Sequence, residues 1–433
     1  MNSIPNRFPA RLIDCFNDYL TPLCEMMIQL EMDFDKGLDV ERLEKAVDLT
    51  LDAEPVLGCR FVDKSYKPYF QRLETDKRSA FFTANNVNEY EAFKAASIDN
   101  KNGSQINVCL WPLPEGDRLL LKVAHQVSDA RGVKGIAAIL SGIYRRLSND
   151  RDYQPSPNIK ASRSIRQILR YVPLHAYPRV CLNSVQSTLH AYKSCTFHTL
   201  PIINGEREPL TYVNRLLSSD RVSALAEYGR SRNATINDII LAASLRVLAA
   251  TGNRDKRSHL SLSTTIDLRR YAPSVNAEAV ANLSTVISRW PDLGTELGQN
   301  FADTLDRVVT ITSHGKTHWI GLGILFDFLT PLTKIMSHTS GTKLYLKFVD
   351  AGLRKHLVPN ALTNTGPINP ESVNFDMLPS MARILPPPFH SPFPPLFSLS
   401  GYMGTLTLSA GAYPTQKEII EKFFDAVLKE LPV

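Results

Sequence analysis

Cysteine is scarce in this chain of 433 residues, which has only six cysteines and three tryptophans. No two cysteines form a Cys-x-x-Cys pair, and no histidine stands at zinc-finger spacing from one, which argues against a structural zinc site. A large chain with few cysteines and no secretory leader is typical of a reduced intracellular protein. We therefore expect a cytoplasmic protein that binds no metal.

Long apolar runs and concentrated charge are also lacking. No stretch reaches the roughly 18 consecutive apolar residues that a membrane-spanning helix requires. Lysine and arginine number 49 against 43 aspartate and glutamate, which gives a mild net charge of +6. Because no long basic run concentrates this charge, we do not expect a nucleic-acid partner.

The residues that are present predict an α/β protein built from two similar halves. Strand and helix patterns occur along the chain, stop in a proline-containing stretch with broken periodicity, and then resume. We predict a first half at 1–160, a crossover linker at 161–205 and a second half at 206–433. The closing helix is predicted to begin with a capping box at Thr415–Glu418.

One polar segment lies between two strongly patterned elements of the first half. Leu119–Ala124 is almost continuously apolar and predicts a buried strand, whereas the periodicity from Val133 predicts an amphipathic helix. The segment that joins them contains His125 and Asp129. Short polar loops after buried strands are where α/β folds expose reactive groups.

His125 and Asp129 form a His-x-x-x-Asp pattern with two interpretations. A neutral imidazole at a strand end can act as a general base at physiological pH, and the aspartate can stabilise the loop under it or pair with a distant arginine. Alternatively, Asp129 only caps the next helix and His125 is adjacent by chance. The pattern alone favours the second interpretation, because such matches are common.

The wider sequence context changes this balance. A buried strand, His-x-x-x-Asp, small residues and an amphipathic helix, in that order, resemble the condensation-domain and BAHD-type superfamily, which includes chloramphenicol acetyltransferase. The resemblance runs from about residue 24 to the end of the chain. The further segments that carry it are Gly37–Ala46, Glu54–Leu57, Thr235–Ala243, Thr265–Arg270, Ala281–Leu283, Asn364–Pro367 and Gly401–Ser409.

The resemblance implies a fold and a reaction. The fold would be two chloramphenicol-acetyltransferase-like α/β sandwich domains in a pseudo-dimeric arrangement, with a tunnel between them. His125 matches the catalytic histidine of the family, and Asp129 matches its structural aspartate, for which Arg269 is the candidate ion-pair partner. Asn364, in the Asn-x-Gly-Pro segment, is a candidate substrate-binding residue.

The implied reaction is acyl transfer from a thioester to an alcohol or amine. The cosubstrate would be acyl-CoA or a phosphopantetheine thioester, with no permanently bound cofactor, and an acyl carrier protein is a candidate partner. The absence of a Gly-x-Ser-x-Gly elbow agrees with direct transfer rather than a serine acyl-enzyme. A catalytically degenerate member that only binds an acyl ligand or a carrier protein is the alternative.

The chain departs from the family pattern at two positions beside His125. The glycine that usually follows the aspartate is Ala130, and the second histidine that often precedes the first is replaced by Ala124. Alanine can replace glycine without strain only if the backbone φ at this position is negative. The Asp-Phe-Gly-Trp-Gly segment of the plant branch is also absent, so a free-standing transferase of another branch is expected.

Three other features have competing interpretations. His314 and His318 share a helical face and could ligate a metal, but Gly315 weakens that helix and no third ligand is near in sequence. The apolar stretch Trp319–Leu332 is a core helix, which we favour, a peripheral membrane contact or a lip of the acyl channel. A set of linker arginines could bind the phosphates of coenzyme A or an acidic carrier protein, or could simply be solvated: Arg163, Arg166, Arg170 and Arg179.

Overall fold

The computed structural model describes residues 4–433 except 64–65, 183–184, 186–194, 203–204, 253–256, 274–276, 317–318, 323–335 and 356. Its helices are α1 (Leu12–Tyr19), α2 (Val40–Ala53), α3 (Val87–Ala95), α4 (Ala130–Asn149), α5 (Arg166–Leu169), α6 (Ser219–Arg230), α7 (Ile236–Thr251), α8 (Phe301–Lys316), α9 (His338–Arg354) and α10 (Pro414–Glu430). Its strands are β1 (Arg7–Pro9), β2 (Met27–Phe34), β3 (Cys59–Val62), β4 (Tyr69–Arg72), β5 (Phe81–Thr83), β6 (Ile106–Leu113), β7 (Gly116–Ala124), β8 (Thr211–Leu217), β9 (Thr264–Asp267), β10 (Ser284–Ile287), β11 (Ala361–Pro367), β12 (Met381–Leu385), β13 (Leu396–Tyr402) and β14 (Thr405–Ala412).

The first half is organised around a five-stranded sheet in the order β12-β2-β7-β6-β5. The β2 and β7 strands are antiparallel, with Leu30 opposite Leu121, and both side chains lie in the main core of this half. The helices α2 and α4 contribute Leu43 and Ile136 to the same core. Since β7 is buried along nearly its whole length, the continuous apolar pattern of this strand is explained.

The second half is organised around a four-stranded sheet in the order β11-β13-β14-β8. Its core combines strand residues with the apolar faces of α7 and α10, and the rings of Phe397 and Phe423 stack with their centroids 4.8 Å apart. The prediction of two α/β halves, each with its own sheet and core, is therefore confirmed. The exact boundaries at residues 160 and 205 stay a prediction.

The two halves exchange structure in a way that the sequence pattern does not predict. The β12 strand lies in the second half of the chain but pairs antiparallel with β2, where Ile384 faces Leu30 across the ladder. Lys134 of α4 makes a second connection, since its Nζ donates hydrogen bonds to the carbonyl oxygens of Thr365, at 2.5 Å, and Pro367, at 3.0 Å. The end of β11, in the second half, is thereby bonded to α4 of the first half.

Two local predictions were wrong. The closing helix does not begin with a box at Thr415–Glu418, because Pro414 occupies its first turn and Tyr413 is the N-cap residue, whose N–H donates to Gln416 Oε1 at 3.2 Å. The alternation of Leu260, Leu262, Thr264 and Ile266 predicts one strand, but the strand is regular only over Thr264–Asp267. Among the described helices, none combines the length and apolar character needed to cross a bilayer.

Candidate active site

His125 and Asp129 lie in the loop between the end of β7 and the start of α4. The His125 N–H donates to the carbonyl oxygen of Met26 at 2.8 Å, so the residue continues the β2–β7 ladder by one position. Asp129 is the N-cap residue of α4, and its Oδ1 accepts a hydrogen bond from the Gly132 N–H at 2.9 Å. The capping role of Asp129 in the simpler interpretation is therefore real, but it is only part of what this side chain does.

The Asp129 carboxylate also pairs with the Arg269 guanidinium in a buried, two-pronged contact. Arg269 Nη1 lies 2.9 Å from Asp129 Oδ2, and Nη2 lies 3.1 Å from Oδ1. Both side chains are only 2–3% exposed. The Leu283 N–H at 2.7 Å and the Ser284 hydroxyl at 2.9 Å donate to Oδ2 as well. The structure thus brings together two predicted site residues that are 140 positions apart, one from each half.

The charges of this buried pair support each other. Burial disfavours the Asp129 carboxylate, but the Arg269 guanidinium and the hydrogen bonds to that carboxylate outweigh it and hold the pKa of Asp129 below its usual range. Burial likewise disfavours the Arg269 cation, and the charges of Asp129 and Asp267 outweigh it and raise the pKa of Arg269. Both groups therefore stay ionised, and Asp129 is not available to exchange protons near neutral pH.

The His125 imidazole is partly exposed, and one side of the ring faces Asn17 of α1. Asn17 Nδ2 lies 3.1 Å from His125 Nδ1 and donates to the His125 carbonyl oxygen at 2.7 Å. Asn282 Nδ2 donates to the same carbonyl oxygen at 3.0 Å. Nδ1 is the ring nitrogen that contacts Asn17, so Nε2 is the nitrogen left to meet a substrate.

Burial lowers the pKa of His125 from its ordinary value of 6.5. The negative charge of Asp129 and the hydrogen bonds of the ring with the His125 backbone and the Asn282 side chain raise the pKa without reversing the shift. The ring is therefore neutral at physiological pH. A neutral imidazole with one free nitrogen is the protonation state that a general base requires.

A further set of buried polar groups holds the loop, and the sequence did not single it out as a site. Asn282 Nδ2 also contacts Asp14 Oδ1 at 2.9 Å, and Arg163 Nη1 lies 3.1 Å from Asp14 Oδ2. Arg163 Nη2 donates to the carbonyl oxygen of Val127, inside the His125–Asp129 loop, at 3.0 Å. Arg163 is buried, which contradicts the expectation that it is solvated or binds phosphates of coenzyme A.

The signal for these groups lies in the first helix. Asp14, Asn17 and Asp18 recur at i, i+3 and i+4 and therefore share one face of α1, and all three are buried. A polar face buried on a short helix near the N-terminus indicates a contact with other polar groups. Which groups they contact depends on the tertiary fold, since Asn17 and His125 are 108 residues apart.

Ala130 fits its position without strain. It is the first residue of α4 and is not among the residues with positive φ. Gly132 is the glycine that this loop requires, because a Cβ there would lie 2.1 Å from Ser128 Oγ. The departure from the family pattern at Ala130 therefore gives no structural reason for loss of activity.

Asn364 lies apart from the His125 loop and makes local bonds. Its Oδ1 accepts from the Gly366 N–H at 2.9 Å, where Gly366 has a φ of +71°, and its Nδ2 contacts Asn237 Oδ1 at 3.2 Å. The side chain is exposed. These bonds shape the irregular end of β11, whose carbonyl oxygens Lys134 contacts. A role for Asn364 in substrate binding stays a prediction.

A cavity of about 490 Å³ lies near the start of β2 and is lined in part by Pro22 and Leu23. His125 is not among the residues that line it. Leu23, Leu346 and Phe393 contribute to its apolar wall, and His390 and Arg207 contribute polar groups. The predicted tunnel at His125 therefore stays a prediction. His318, the side chain of His314 and most of the stretch Trp319–Leu332 lie outside the described residues.

Comparisons with known proteins place this fold. No family model matches the sequence, and no curated protein matches it. Among solved structures, polyketide synthase associated protein 5 from Mycobacterium tuberculosis is similar at a TM-score of 0.65 and 16% identity, over 98% of this chain and 96% of that chain. The trichothecene 15-O-acetyltransferase from Fusarium sporotrichioides is similar at a TM-score of 0.70 and 10% identity, over 98% and 95%.

A third similarity is to a domain of a peptide synthetase. The first condensation domain of the calcium-dependent antibiotic synthetase matches at a TM-score of 0.67 and 16% identity, over 98% of this chain and 97% of that chain. All three likenesses extend over nearly the full length of the chain, and at these identities they establish the fold. The chain therefore has the two-domain architecture of condensation domains and the acyltransferases related to them, as the sequence resemblance predicts.

Proposed function

We propose that this protein transfers an acyl group from a thioester to an alcohol or amine, with His125 as the general base. The observation that carries the proposal is the neutral, partly exposed His125 ring at the end of β7, whose Nδ1 lies 3.1 Å from Asn17 Nδ2. The buried Asp129–Arg269 pair supports it, because that pair stabilises the loop from both halves of the chain.

The reaction needs one base and no enzyme nucleophile. The acceptor oxygen or nitrogen attacks the thioester carbonyl carbon while His125 Nε2 removes its proton. A C–O or C–N bond forms, and the C–S bond breaks as the tetrahedral intermediate collapses. The imidazolium then returns the proton to the sulfur, so the products are an ester or amide and a free thiol. General base catalysis of this kind contributes about 10²–10⁴-fold to the rate.

The donor in this proposal is acyl-CoA or an acyl group on the phosphopantetheine arm of a carrier protein. Two of the similar structures carry the names of a polyketide synthase associated protein and a peptide synthetase domain, which supports a carrier protein as partner. The acceptor is a small alcohol or amine, and Asn364 is proposed to contact it through its exposed amide. We place the protein in the cytoplasm.

The test is a His125→Ala variant assayed for thiol release with a panel of acyl-CoA donors and alcohol or amine acceptors. We expect kcat to fall by about 10²–10⁴-fold, with KM for the donor little changed. A His175→Ala variant is the matched control, because His175 is exposed on a surface turn. Full turnover by His125→Ala would contradict the proposal.

The competing hypothesis is a protein that binds an acyl ligand or a carrier protein without chemistry. It rests on the replacement of glycine by Ala130, and the helical backbone at Ala130 removes that reason. Carrier-protein binding by the wild-type chain, together with no thiol release across the whole panel, would nevertheless favour binding over catalysis.

A further inference from the structure

The crossover segment between the two halves has an unusual charge. No aspartate or glutamate occurs between Asp152 and Glu206. The same stretch contains six cationic residues: Lys160, Arg163, Arg166, Arg170, Arg179 and Lys193. Because the net charge of the whole chain is +6, this stretch holds positive charge equal to the entire excess. Arg163 is buried against Asp14 and is not available to an anionic surface, but the rest of the stretch still carries positive charge with no carboxylate side chain of its own.

The segment has one apolar face that is buried. Ile168, Val172, Ala176 and Val180 recur at every fourth residue, and all four are buried in one hydrophobic cluster. Leu268 and Leu283 belong to the same cluster. Leu268 precedes Arg269, and the Leu283 N–H bonds to Asp129. This face therefore attaches the segment directly behind the candidate active site.

The opposite face is apolar as well, but it is exposed. Leu174 begins a short 3₁₀ turn and is 87% exposed, and residues 177–182 continue the segment as a helix. Leu182 and Val185 are 51% and 55% exposed, and Tyr171 is 41% exposed. One face of the segment is buried in the core, yet the segment still presents four large apolar side chains to solvent. Groups of exposed apolar side chains mark sites that contact a protein or a membrane.

Cations flank these exposed side chains. Arg166 and Arg179 are exposed, and no carboxylate of the described residues pairs with either. Arg170 is partly neutralised by Glu278, at 2.7 Å. Protruding aliphatic and aromatic side chains between arginines are typical of segments that lie in the interface of an anionic bilayer. We call the set of Arg166, Tyr171, Leu174, Arg179, Leu182 and Val185 the crossover face.

We propose that the crossover face binds the surface of an anionic lipid bilayer. The apolar side chains enter the headgroup region, and the arginines contact lipid phosphates or carboxylates. In combination with the proposed acyl transfer, on which this second part rests, the bound protein would hold its active site beside the membrane and take apolar substrates from it. An acidic carrier protein shares the charge requirement, but charge alone does not explain the exposed aliphatic side chains Leu174, Leu182 and Val185.

The experiment is flotation of the full-length protein with vesicles of phosphatidylcholine alone or of phosphatidylcholine with phosphatidylserine. We expect binding to the anionic vesicles that weakens with added salt, and weak binding to the neutral ones. The double variant Leu174→Ser, Leu182→Ser should lose at least about tenfold in vesicle affinity. The double variant Arg166→Gln, Arg179→Gln should lose about fivefold for each arginine on anionic vesicles only.

The control is the double variant Leu216→Ser, Leu378→Ser, which removes two exposed leucines elsewhere and should bind as the wild type does. His125→Ala should also bind normally, so failure of the acyl-transfer proposal and failure of this one are distinguishable. Absence of binding to anionic vesicles at low salt, or equal binding by all variants, would overturn the proposal. Loss of carrier-protein binding in the arginine variant, with no vesicle binding by the wild type, would instead assign the surface to a carrier protein.

Discussion

Asn17 of α1 contacts the catalytic candidate His125 twice, with its amide nitrogen 3.1 Å from Nδ1 and 2.7 Å from the carbonyl oxygen. For Nε2 to accept a proton, the hydrogen of the neutral ring must be on Nδ1. The groups beside Nδ1 therefore decide which tautomer is present. The Asn17 amide nitrogen is a donor, so its contact favours an unprotonated Nδ1, and the base step requires the ring hydrogen to move from Nε2 to Nδ1. Asn17 is a positioning residue in this account, because it acts on the acceptor through His125.

Replacement of Asn17 by aspartate should move the pH dependence of acyl transfer. A carboxylate beside Nδ1 stabilises the imidazolium and raises the pKa of His125. In the wild type, burial keeps that pKa below 6.5, so kcat/KM should fall only when the pH drops below this value. In Asn17→Asp, the acid limb should shift to higher pH. The measurement is kcat/KM for thiol release as a function of pH.

Asn17→Ala serves as the companion variant. It removes the hydrogen bond from the amide to the His125 carbonyl oxygen without adding charge. The rate of acyl transfer should therefore fall while the acid limb of the pH profile stays near its wild-type position. Identical pH profiles for the wild type and Asn17→Asp would contradict the role of Asn17 beside His125.

The Asp129–Arg269 pair predicts a large stability loss when one partner is removed. Asp129→Asn leaves the Arg269 cation buried with only Asp267 as a charged partner, which should lower the free energy of unfolding by about 3 kcal/mol. Because the folded-state pKa of Asp129 lies below 3.8, the contribution is present above that pH and is lost as the pH falls through the lowered pKa. Urea denaturation near neutral pH measures the effect.

Two further variants separate this pair from its surroundings. Asp267→Asn removes the partly exposed second carboxylate at 2.9 Å from Arg269 and should cost less than about 1 kcal/mol. The double variant Asp129→Asn, Arg269→Gln should lose less stability than the sum of its single variants. Additive losses would mean that the two side chains are not coupled.

Lys122 predicts a stability that increases with pH. Its buried ammonium donates to the carbonyl oxygens of Phe93 and Ala96 at the end of α3, and no carboxylate of the described residues pairs with it. Burial lowers its pKa from 10.5 to about 7. At pH values between about 7 and 10.5, the unfolded chain binds a proton at this lysine that the folded chain does not. The free energy of unfolding therefore rises as the pH increases through this range. Lys122→Met lacks this contribution.

The check is urea denaturation of both proteins at about pH 7 and about pH 9. The free energy of unfolding of the wild type, minus that of Lys122→Met, should increase from the lower to the higher pH. Lys134, whose pKa is lowered to about 8, acts in the same direction in both proteins and cancels in this comparison. A difference that does not change with pH would indicate that Lys122 has an ordinary pKa.

Asn364 tests whether the Asn-x-Gly-Pro segment binds substrate. If its exposed amide contacts the acceptor, Asn364→Ala should raise KM for the acceptor and leave KM for the acyl-CoA donor unchanged. Asn237→Ala is the control, because it removes the neighbouring amide at 3.2 Å without changing residue 364. Equal changes in KM for the acceptor in the two variants would mean that Asn364 only supports the end of β11.

Local patterns in the sequence predicted most of the secondary structure that surrounds the site. The apolar run at Leu119–Ala124 predicted a buried strand, and the helical period from Val133 predicted α4, because burial requires these spacings wherever the elements pack. The resemblance carried by the pattern around His125 and by the segment Thr265–Arg270 then predicted Asp129 and Arg269 as partners.

The contacts that complete the site have no comparable local signal. The spacing of Asp14 and Asn17 places them on one face of α1, but their partners His125 and Arg163 cannot be inferred from their neighbours in sequence. The pairing of β12 with β2 joins residues about 350 positions apart, and no turn connects them. Such relationships depend on how the two halves meet.

The sequence by itself determined the main elements of this protein and its α/β class, because hydrophobic period is written in consecutive residues, and its resemblance to a known family predicted the set of His125, Asp129 and Arg269. Only the tertiary structure decided that Asn17, Asn282 and Arg163 surround the His125 loop and that Ala130 is unstrained. The physical reason is that burial of a polar group is stable only when a partner arrives from elsewhere in the chain, and packing alone selects that partner.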